Sequence, residues 1–328
     1  MKFRTEYRPE RGDVSLSPMR PVVLLGSCFA ENIAARMRRC LWKASNPAGT
    51  LYNPLSIERA IRLLLFEKES IEVFKESLFK EGRFLRSWLF DSKTSSEYQS
   101  DIFPMMIRMS NSLRSDLMAG KALFVTFGTA WCYFLAERPE YVVANCHKQP
   151  ASMFTRRRLS VDEIADCWEC LAMDLQHKFH GLEIIFTVSP VRHLKDGFEG
   201  NARSKATLLL AVERLCSRLP FCSYFPAYEI VNDDLRDYRF YASDLTHPSD
   251  DAVEYIWEIF RSTYLDSEGE ALLKEGEKIV KGWLHRPLRS PYAQESNLTK
   301  YEDSLRKLEI EKAYAAYREK NPNALPLS

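Results

Sequence analysis

The sequence has almost no net charge and no long hydrophobic run. Its 46 Lys and Arg residues nearly balance its 45 Asp and Glu residues, which leaves a formal net charge of +1. Such a chain has no overall field that would draw it to nucleic acid or to an anionic membrane surface. No apolar stretch approaches the roughly 20 residues that a membrane-spanning helix needs. We therefore expect neither a nucleic-acid partner nor a membrane partner.

The beginning of the chain also lacks the pattern of an export signal. Its charged opening, MKFRTEYRPERGD, has no apolar segment of the kind that a signal peptide carries. We therefore expect the eight cysteines to be reduced thiols rather than a disulfide framework. Together these features predict a cytoplasmic protein. Its 45% hydrophobic and 28% charged residues are typical of a globular chain with a hydrophobic core.

Short apolar runs alternate with longer amphipathic segments along most of the chain. The runs predict strands at 22–25, 122–127, 183–188 and 223–231. Helical spacing of apolar residues predicts helices at 30–41, 160–179, 201–215 and 248–260. Ser160 and Glu163 form the pattern of a capping box at the start of the second of these helices. This alternation predicts an α/β protein with a mostly parallel sheet covered by helices on both faces.

Two segments depart from the alternation. Residues 48–120 hold mainly helical patterns, at 54–66, 71–80 and 101–119, and we interpret them as a helical insertion after the first helix. Residues 266–328 are charged and helical, and we interpret them as a C-terminal extension that acts as a lid, a packing appendage or a homodimer contact. The main domain is then residues 1–265.

Ser27 and Cys28 stand where the first apolar run meets the first helical pattern. In a doubly wound sheet, ligands bind beyond the carboxyl ends of the strands. A helix that begins there offers free amides and a partial positive charge to an oxyanion or a phosphate. Two alternatives remain open at this point: Ser27 as a simple helix cap, and Cys28 as the nucleophile because a helix N-terminus lowers a thiol pKa.

Asp244 and His247 form a second motif, three residues apart, before the last helix of the alternation. An imidazole that is held by a carboxylate acts as a general base when it reaches a nucleophile. Taken alone, both residues are typical of a turn or a helix cap. Their combination with the Ser27 turn favours catalysis.

The pentapeptide Gly-Ser-Cys-Phe-Ala at 26–30 is the motif that gives the GSCFA family its name, and the sequence resembles that family. The GSCFA family is in turn similar to the SGNH/GDSL hydrolases. Five further segments match the family: Asn53-Pro54, Phe-Gly-Thr-Ala-Trp at 127–131, Asn-Cys-His-Lys at 145–148, Ser-Pro-Val-Arg-His at 189–193, and Asp244-x-x-His247. A weaker similarity links the chain to the PC-esterase enzymes of polysaccharide O-acetylation.

The resemblance implies a three-layer α/β/α fold and a catalytic triad. Ser27 would be the nucleophile, His247 the base, and Asp244 the residue that orients the imidazole. The Ser27 amide would contribute to an oxyanion hole, with Gly128 as a second donor and Thr129 beside it at the substrate. No cofactor is implied.

The sequence departs from the usual SGNH pattern in two places. Gly-Ser-Cys replaces Gly-Asp-Ser in the first block, and the segment 189–193 replaces the block that supplies an oxyanion asparagine. Four residues are candidates for the missing donor or for substrate binding: Asn145, His147, Arg192 and His193. Arg192 also suits a substrate carboxylate or phosphate.

Two other patterns have competing interpretations. Cys146 and His147, together with Cys167 and Cys170, resemble a zinc ligand set, but the latter pair falls inside an amphipathic helix, where core packing is the commoner role. We therefore predict no metal. The basic run at 156–158 is interpreted as a solvated turn, with a phosphate or sugar-acid contact as the alternative.

The function that these motifs favour is a serine esterase or acyltransferase acting on O-acyl groups, above all O-acetyl groups on carbohydrate. Its partner would be a small-molecule or glycan ester. One alternative is a non-catalytic SGNH-like module that binds a glycan or an anionic ligand in the same cleft. Another is an interaction scaffold that acts through the C-terminal helices.

Overall fold

A computed structural model describes residues 4–10, 12, 14–66, 70–285 and 297–327. Its strands are β1 Val22–Gly26, β2 Ala44–Ser45, β3 Leu78–Glu81, β4 Phe84–Ser87, β5 Ser95–Ser96, β6 Ala122–Phe127, β7 Trp131–Leu135, β8 Arg138–Val143, β9 Phe154–Arg158, β10 Glu183–Val188 and β11 Cys222–Tyr224. Its α-helices are α1 Cys28–Arg38, α2 Pro54–Leu65, α3 Ser70–Glu76, α4 Gln99–Gly120, α5 Val161–Lys178, α6 Gly197–Arg218, α7 Ala227–Glu229, α8 Asp250–Tyr264, α9 Ser267–Leu284 and α10 Asn297–Lys320.

The central sheet has five parallel strands in the order β11-β10-β6-β1-β2. The chain leaves β1 toward β2 at one edge, and then returns to β6 on the other side of β1 and continues outward to β11. The connections therefore reverse direction between β1 and β6. In open α/β sheets, the crevice at such a reversal is where ligands bind.

Two hydrophobic cores lie on opposite faces of this sheet. Val23 and Leu25 of β1 point into the larger core with α2, α4, α5 and α6, whereas Val22 and Leu24 point into the second core with α1 and α8. The strand sequence is apolar throughout because both of its faces are covered. The predicted α/β fold with a mostly parallel sheet between helical layers is confirmed.

The segment that was expected to be mainly helical also contains a small sheet. Strands β3, β4 and β5 form an antiparallel sheet, so the predicted helix over 71–80 ends at Glu76. Gly82, with a φ of 59°, forms the turn between β3 and β4. Phe79 stacks on Trp88 with 3.6 Å between ring centroids, and this cross-strand contact outweighs the local helical spacing.

Two other local predictions are corrected. The strand expected over 223–231 is only Cys222–Tyr224, because the chain turns at Pro226 into α7 and a π-helix, Ile230–Leu235. The basic run at 156–158 is not a turn, since it lies on β9 of a second antiparallel sheet, β8-β7-β9.

The C-terminal helices α9 and α10 pack against the end of α1 that is farther from Ser27. The amide of Leu325 donates to the Leu41 carbonyl at 3.0 Å, and the Asn321 side chain donates to the Pro18 carbonyl at 3.1 Å. Within the described residues this extension is a packing appendage rather than a lid over the first turn. A homodimer contact through it stays a prediction. In the part of the chain that the structure describes, none of the helices has the length and apolarity required to cross a bilayer.

Candidate active site

The turn after β1 presents Ser27 at the reversal point of the sheet. Gly26 adopts a φ of 128°, and a Cβ there would lie 2.2 Å from the carbonyl oxygen of Thr126 on β6. Only glycine therefore allows the two strand ends to approach so closely. Ser27 is the N-cap residue of α1, but its side chain makes no capping hydrogen bond. Simple capping does not explain this serine.

The Ser27 hydroxyl is buried and unsatisfied. The residue is 1% exposed, and its Oγ has no hydrogen-bond partner among the described residues, His247 included. A buried hydroxyl without a partner costs roughly 1–3 kcal/mol, so proteins rarely keep one without a reason. Catalytic sites are one such reason, because the missing partner there is the substrate.

The Asp244 carboxylate holds the imidazole of His247. Asp244 Oδ2 lies 2.6 Å from His247 Nδ1, and its Oδ1 accepts the amides of Thr246 and His247, both at 2.9 Å. The His247 amide is the main cause that holds the Asp244 pKa far below its usual range, followed by the Thr246 amide and the His247 ring. With Nδ1 donating to a carboxylate, Nε2 is the nitrogen left to accept a proton.

One cavity of about 340 Å³ brings the first turn and the Asp244 loop together. It is lined in part by Cys28, Tyr52, Thr129, Arg192, His193 and His247. The amide of Arg192 donates to the Thr246 carbonyl at 3.1 Å, which ties the loop after β10 to the loop that carries His247. Residues more than two hundred positions apart thus share one cavity beyond the carboxyl ends of the strands.

His193 and Ser27 both lie against the α-carbon of Gly128. A Cβ built on Gly128 would be 3.4 Å from both His193 Nε2 and Ser27 Cβ. Burial is the main cause that lowers the His193 pKa to about 4, and repulsion from Lys205 and Arg156 adds to it. The ring is therefore neutral at pH 7. Its Nε2 is buried and has no hydrogen-bond partner among the described residues.

A comparison with sequence models of protein families identifies the family of this chain. The sequence model of the GSCFA family matches residues 21–260. This chain belongs to the GSCFA family. The matched residues include every residue that lines the cavity, whereas α9 and α10 lie beyond them. A search of curated proteins found no matching relative.

Both backbone amides expected in an oxyanion hole are already engaged in this GSCFA structure. The Ser27 amide donates to the Thr126 carbonyl at 3.2 Å, and the Gly128 amide donates to the Tyr52 carbonyl at 2.8 Å. Thr129 lines the cavity, but its hydroxyl bonds to Ser204 Oγ at 3.1 Å. In this conformation the expectation for the Ser27 and Gly128 amides is therefore not met, because both amides already donate hydrogen bonds to backbone carbonyls.

Asn145 and His147, which the GSCFA motifs suggested for substrate binding, have structural roles. His147 Nε2 bonds to the Ser87 carbonyl at 2.9 Å, and its ring packs against Phe79 and Trp88. Asn145 accepts the His147 amide at 2.7 Å, which supports a left-handed φ of 47° at His147. Neither residue lines the cavity, so their expected contact with substrate is not found here.

Cys28 lines the cavity, but its environment disfavours a thiolate. Burial raises the pKa of the Cys28 thiol and outweighs the amides of Phe29 and Cys28 at the helix start. The thiol form therefore prevails at neutral pH, which weakens the interpretation of Cys28 as the nucleophile. Elsewhere in the described residues, no group of three or more His, Cys, Asp or Glu side chains is placed to hold a metal ion.

The sequence motifs missed Lys205, which is 1% exposed beneath the site. Its Nζ donates to the carbonyls of Gly128 and Ser189, both at 2.6 Å, and so joins the ends of β6 and β10. Burial lowers the Lys205 pKa from 10.5 to about 7. The signal was present in the helical spacing, because Lys205 falls on the buried face of α6 with Leu208 and Val212.

We expect Lys205→Met to lower the free energy of unfolding by about 2–4 kcal/mol, because it leaves two buried carbonyls unpaired. In the unfolded chain the lysine keeps its proton up to about pH 10.5, whereas the folded residue releases it near pH 7. The native state of the wild type therefore gains stability as pH rises through this window, and the variant lacks that gain. Urea unfolding at pH 7 and pH 9 measures the difference.

The control for this prediction is Lys278→Met, which removes an exposed lysine from α9. Its stability should follow the wild type at both pH values. A difference between wild type and Lys205→Met that is the same at pH 7 and pH 9 would contradict the lowered pKa.

Proposed function

We propose that this protein is a serine esterase or O-acyltransferase related to the SGNH/GDSL hydrolases, with Ser27 as nucleophile, His247 as base and Asp244 orienting the imidazole. The observation that carries the proposal is a buried serine hydroxyl that has no partner among the described residues. Its neighbour Cys28 lines the same cavity as the carboxylate-bound imidazole of His247. Membership of the GSCFA family supports it through the similarity of that family to SGNH enzymes.

The proposed reaction has two half-reactions. Ser27 Oγ attacks the ester carbonyl while His247 Nε2 takes the hydroxyl proton, and the resulting imidazolium is stabilised by Asp244. The tetrahedral intermediate then expels the alcohol, which receives that proton from His247, and an acyl ester remains on Ser27. Water or a second hydroxyl next attacks this acyl-enzyme, with His247 again accepting and returning the proton. The product is a free acid or a new ester.

His193 is the side chain best suited to stabilise the oxyanion. Its ring is neutral at pH 7 and its Nε2 has no partner among the described residues, so it can donate an N–H to the developing charge. Such a donor typically contributes about 2.7–4 kcal/mol to the transition state. His193 thereby takes the place of the asparagine that SGNH enzymes use.

The proposed substrate class is a small O-acyl group, above all O-acetyl, on a carbohydrate. A cavity of about 340 Å³ with Tyr52, Trp131 and Tyr133 among its lining residues suits a small ester beside a sugar ring. The choice of a carbohydrate as the carrier of the acyl group rests on analogy with the fold family. A cytoplasmic location is part of the proposal and rests on the sequence pattern alone.

A non-catalytic binding module is the second candidate, and two observations favour it. Ser27 Oγ makes no hydrogen bond to His247, and the amides of Ser27 and Gly128 are bound to carbonyls. A module of this kind would bind its ligand without turning it over. Catalytic hydrogen bonds in free enzymes are often long, however, and tighten only in the substrate complex. For this reason the esterase is the leading candidate.

A fluorophosphonate probe separates the two candidates. This reagent phosphonylates an activated serine, so we expect one equivalent of label on the wild type and none on Ser27→Ala. Label should persist on Cys28→Ala, which changes the neighbouring side chain and leaves the hydroxyl. Circular dichroism establishes that each variant is folded. Folded wild type that takes up no label would favour the binding module.

A further inference from the structure

The wall of the active-site cavity is positively charged. Three cationic side chains line it, Arg156, Arg192 and Lys195. Within the described residues no Asp or Glu lines this cavity. A small neutral ester does not require such a wall. Arg192 is half-buried and Lys195 is exposed, so both cations can meet a ligand that enters the cavity. The positive charge of this wall therefore suits a substrate that carries an anionic group.

One of these cations is already neutralised. Arg156 forms a bidentate ion pair with Asp196 and lies 4.2 Å from the Trp131 ring centroid. The pairing raises the Arg156 pKa and lowers that of Asp196, as expected for an ion pair that persists. Arg156 therefore holds the aromatic wall in place, and its charge is not available to a ligand.

Arg192 has only neutral partners. Its Nη2 donates to Asn232 Oδ1 and to the Tyr241 hydroxyl, both at 3.3 Å, and the guanidinium carbon lies 5.4 Å from the Tyr241 ring centroid. No carboxylate of the described residues pairs with it. These contacts fix the guanidinium plane while leaving donors unused, which is the arrangement that receives a carboxylate or phosphate in bidentate fashion.

Lys195 supplies a second cation without an acidic partner. Its Nζ donates to the Tyr133 hydroxyl at 2.6 Å, and no described carboxylate lies within ion-pair distance of it. The nearby acids are committed elsewhere, Asp196 to Arg156 and Asp244 to His247. Arg192 and Lys195 are thus the cations of the cavity lining that have no ion-pair partner among the described carboxylates.

Arg192 also borders a second, smaller cavity of about 130 Å³, which Arg236 and Tyr238 line as well. The only carboxylate in that lining within the described residues, Asp237, pairs with Arg239 at 3.5 Å. The Arg192 guanidinium therefore lies between the active-site cavity and this second cavity. An anionic group bound by Arg192 would lie at the cavity that His247 also lines.

We propose that the substrate carries a carboxylate or phosphate beside its acyl ester, and that Arg192 and Lys195 bind this anionic group. The inference rests on the proposed function, because it assigns a substrate class to the same site. It narrows the carbohydrate class to acylated sugar acids or acylated sugar phosphates.

Matched aryl acetates test the proposal. We expect kcat/KM for 4-acetoxybenzoate or 4-acetoxyphenyl phosphate to exceed that for neutral 4-acetoxybenzamide by about 10- to 100-fold, the effect of one or two charge-assisted hydrogen bonds. Arg192→Gln and Lys195→Gln should each lower this ratio by about three- to tenfold. The better of the two anionic esters identifies the group as carboxylate or phosphate. Arg108→Gln, which removes an exposed cation from α4, should leave the ratio unchanged.

A binding measurement separates this proposal from the esterase itself. Calorimetry with the unreactive amides 4-acetamidobenzoate and 4-acetamidobenzamide reports anion recognition without turnover. Binding of the benzoate that is lost in Arg192→Gln, with no ester hydrolysed, would support the anion site and overturn the esterase. Hydrolysis with equal rates for charged and neutral esters, unchanged in Arg192→Gln, would overturn the anion site alone. Neither hydrolysis nor binding would overturn both.

Discussion

Ser27→Ala is expected to lower kcat/KM for an aryl acetate by roughly 10⁴- to 10⁶-fold, the usual loss when a catalytic serine is removed. The variant deletes a hydroxyl that has no structural bond to lose, so the fold should be retained. Stability should remain the same or rise slightly, because an unsatisfied buried polar atom is removed. Initial rates and a thermal unfolding curve on the same preparation measure both effects.

Cys28→Ala is the matched control, because Cys28 is the next residue along the turn and lines the same cavity. Its thiol is protonated at neutral pH, since burial raises its pKa. We expect a loss of less than about tenfold, from altered packing alone. The reverse pattern, with activity lost in Cys28→Ala and kept in Ser27→Ala, would identify the thiol as nucleophile.

Asp244→Asn is expected to lower kcat by roughly 10³- to 10⁴-fold, because an amide in place of the carboxylate favours the wrong tautomer of the base. The asparagine Oδ1 can still accept the amides of Thr246 and His247, so the turn itself should persist. Its Nδ2 would then face His247 Nδ1 with a donor, which shifts the imidazole proton to Nε2. A ring in that state cannot accept the proton of Ser27.

The control for Asp244→Asn is Asp251→Asn, which makes the same change at an exposed position in the first turn of α8. Its kcat should lie within about twofold of the wild type. Single-turnover rates over a range of pH separate chemistry from product release. Wild-type kcat in Asp244→Asn would mean that the carboxylate positions only the turn, and that His247 is not the base.

The sheet was predictable from the sequence because its strands are apolar on both faces. Val22 to Leu25 shows this most simply, since four consecutive apolar residues suit a strand between two helical layers and little else. The antiparallel sheets were not predictable in this way. Leu78 and Phe79 fit a helical spacing locally. In the structure they pair with Ser87 and Arg86 across the hairpin, and Phe79 stacks on Trp88, nine residues on.

Only part of the candidate site could be predicted from the sequence. Short motifs singled out Ser27 and the Asp244 turn. The parallel sheet explains why their neighbours Cys28 and His247 line one cavity. The roles of the other motif residues depend on hydrogen bonds between residues that are far apart in the sequence. The Gly128 amide donates to the Tyr52 carbonyl, and His147 Nε2 bonds to the Ser87 carbonyl. No pattern of sequence spacing predicts these pairs. Residues of a family motif can thus serve the scaffold as readily as the site.

The positive wall of the cavity was visible only in three dimensions. Arg156 occurs in a basic run that suggested a solvated turn, yet it lies on β9 and faces Trp131. Lys195 had no sequence signal at all. Lys205 did have one, since a lysine on the apolar face of an amphipathic helix needs a buried partner, and the carbonyls of Gly128 and Ser189 provide it.

The separation between Ser27 Oγ and His247 Nε2 in a crystal of the phosphonylated protein tests the triad most directly. If the hydroxyl, imidazole and carboxylate act in sequence, the adduct will be on Ser27, and His247 Nε2 will lie roughly 2.6–3.2 Å from Ser27 Oγ or from an adduct oxygen. The Asp244 contact at Nδ1 will be retained. An imidazole that stays out of hydrogen-bond reach of the adduct, or an adduct on another residue, would contradict the proposed triad.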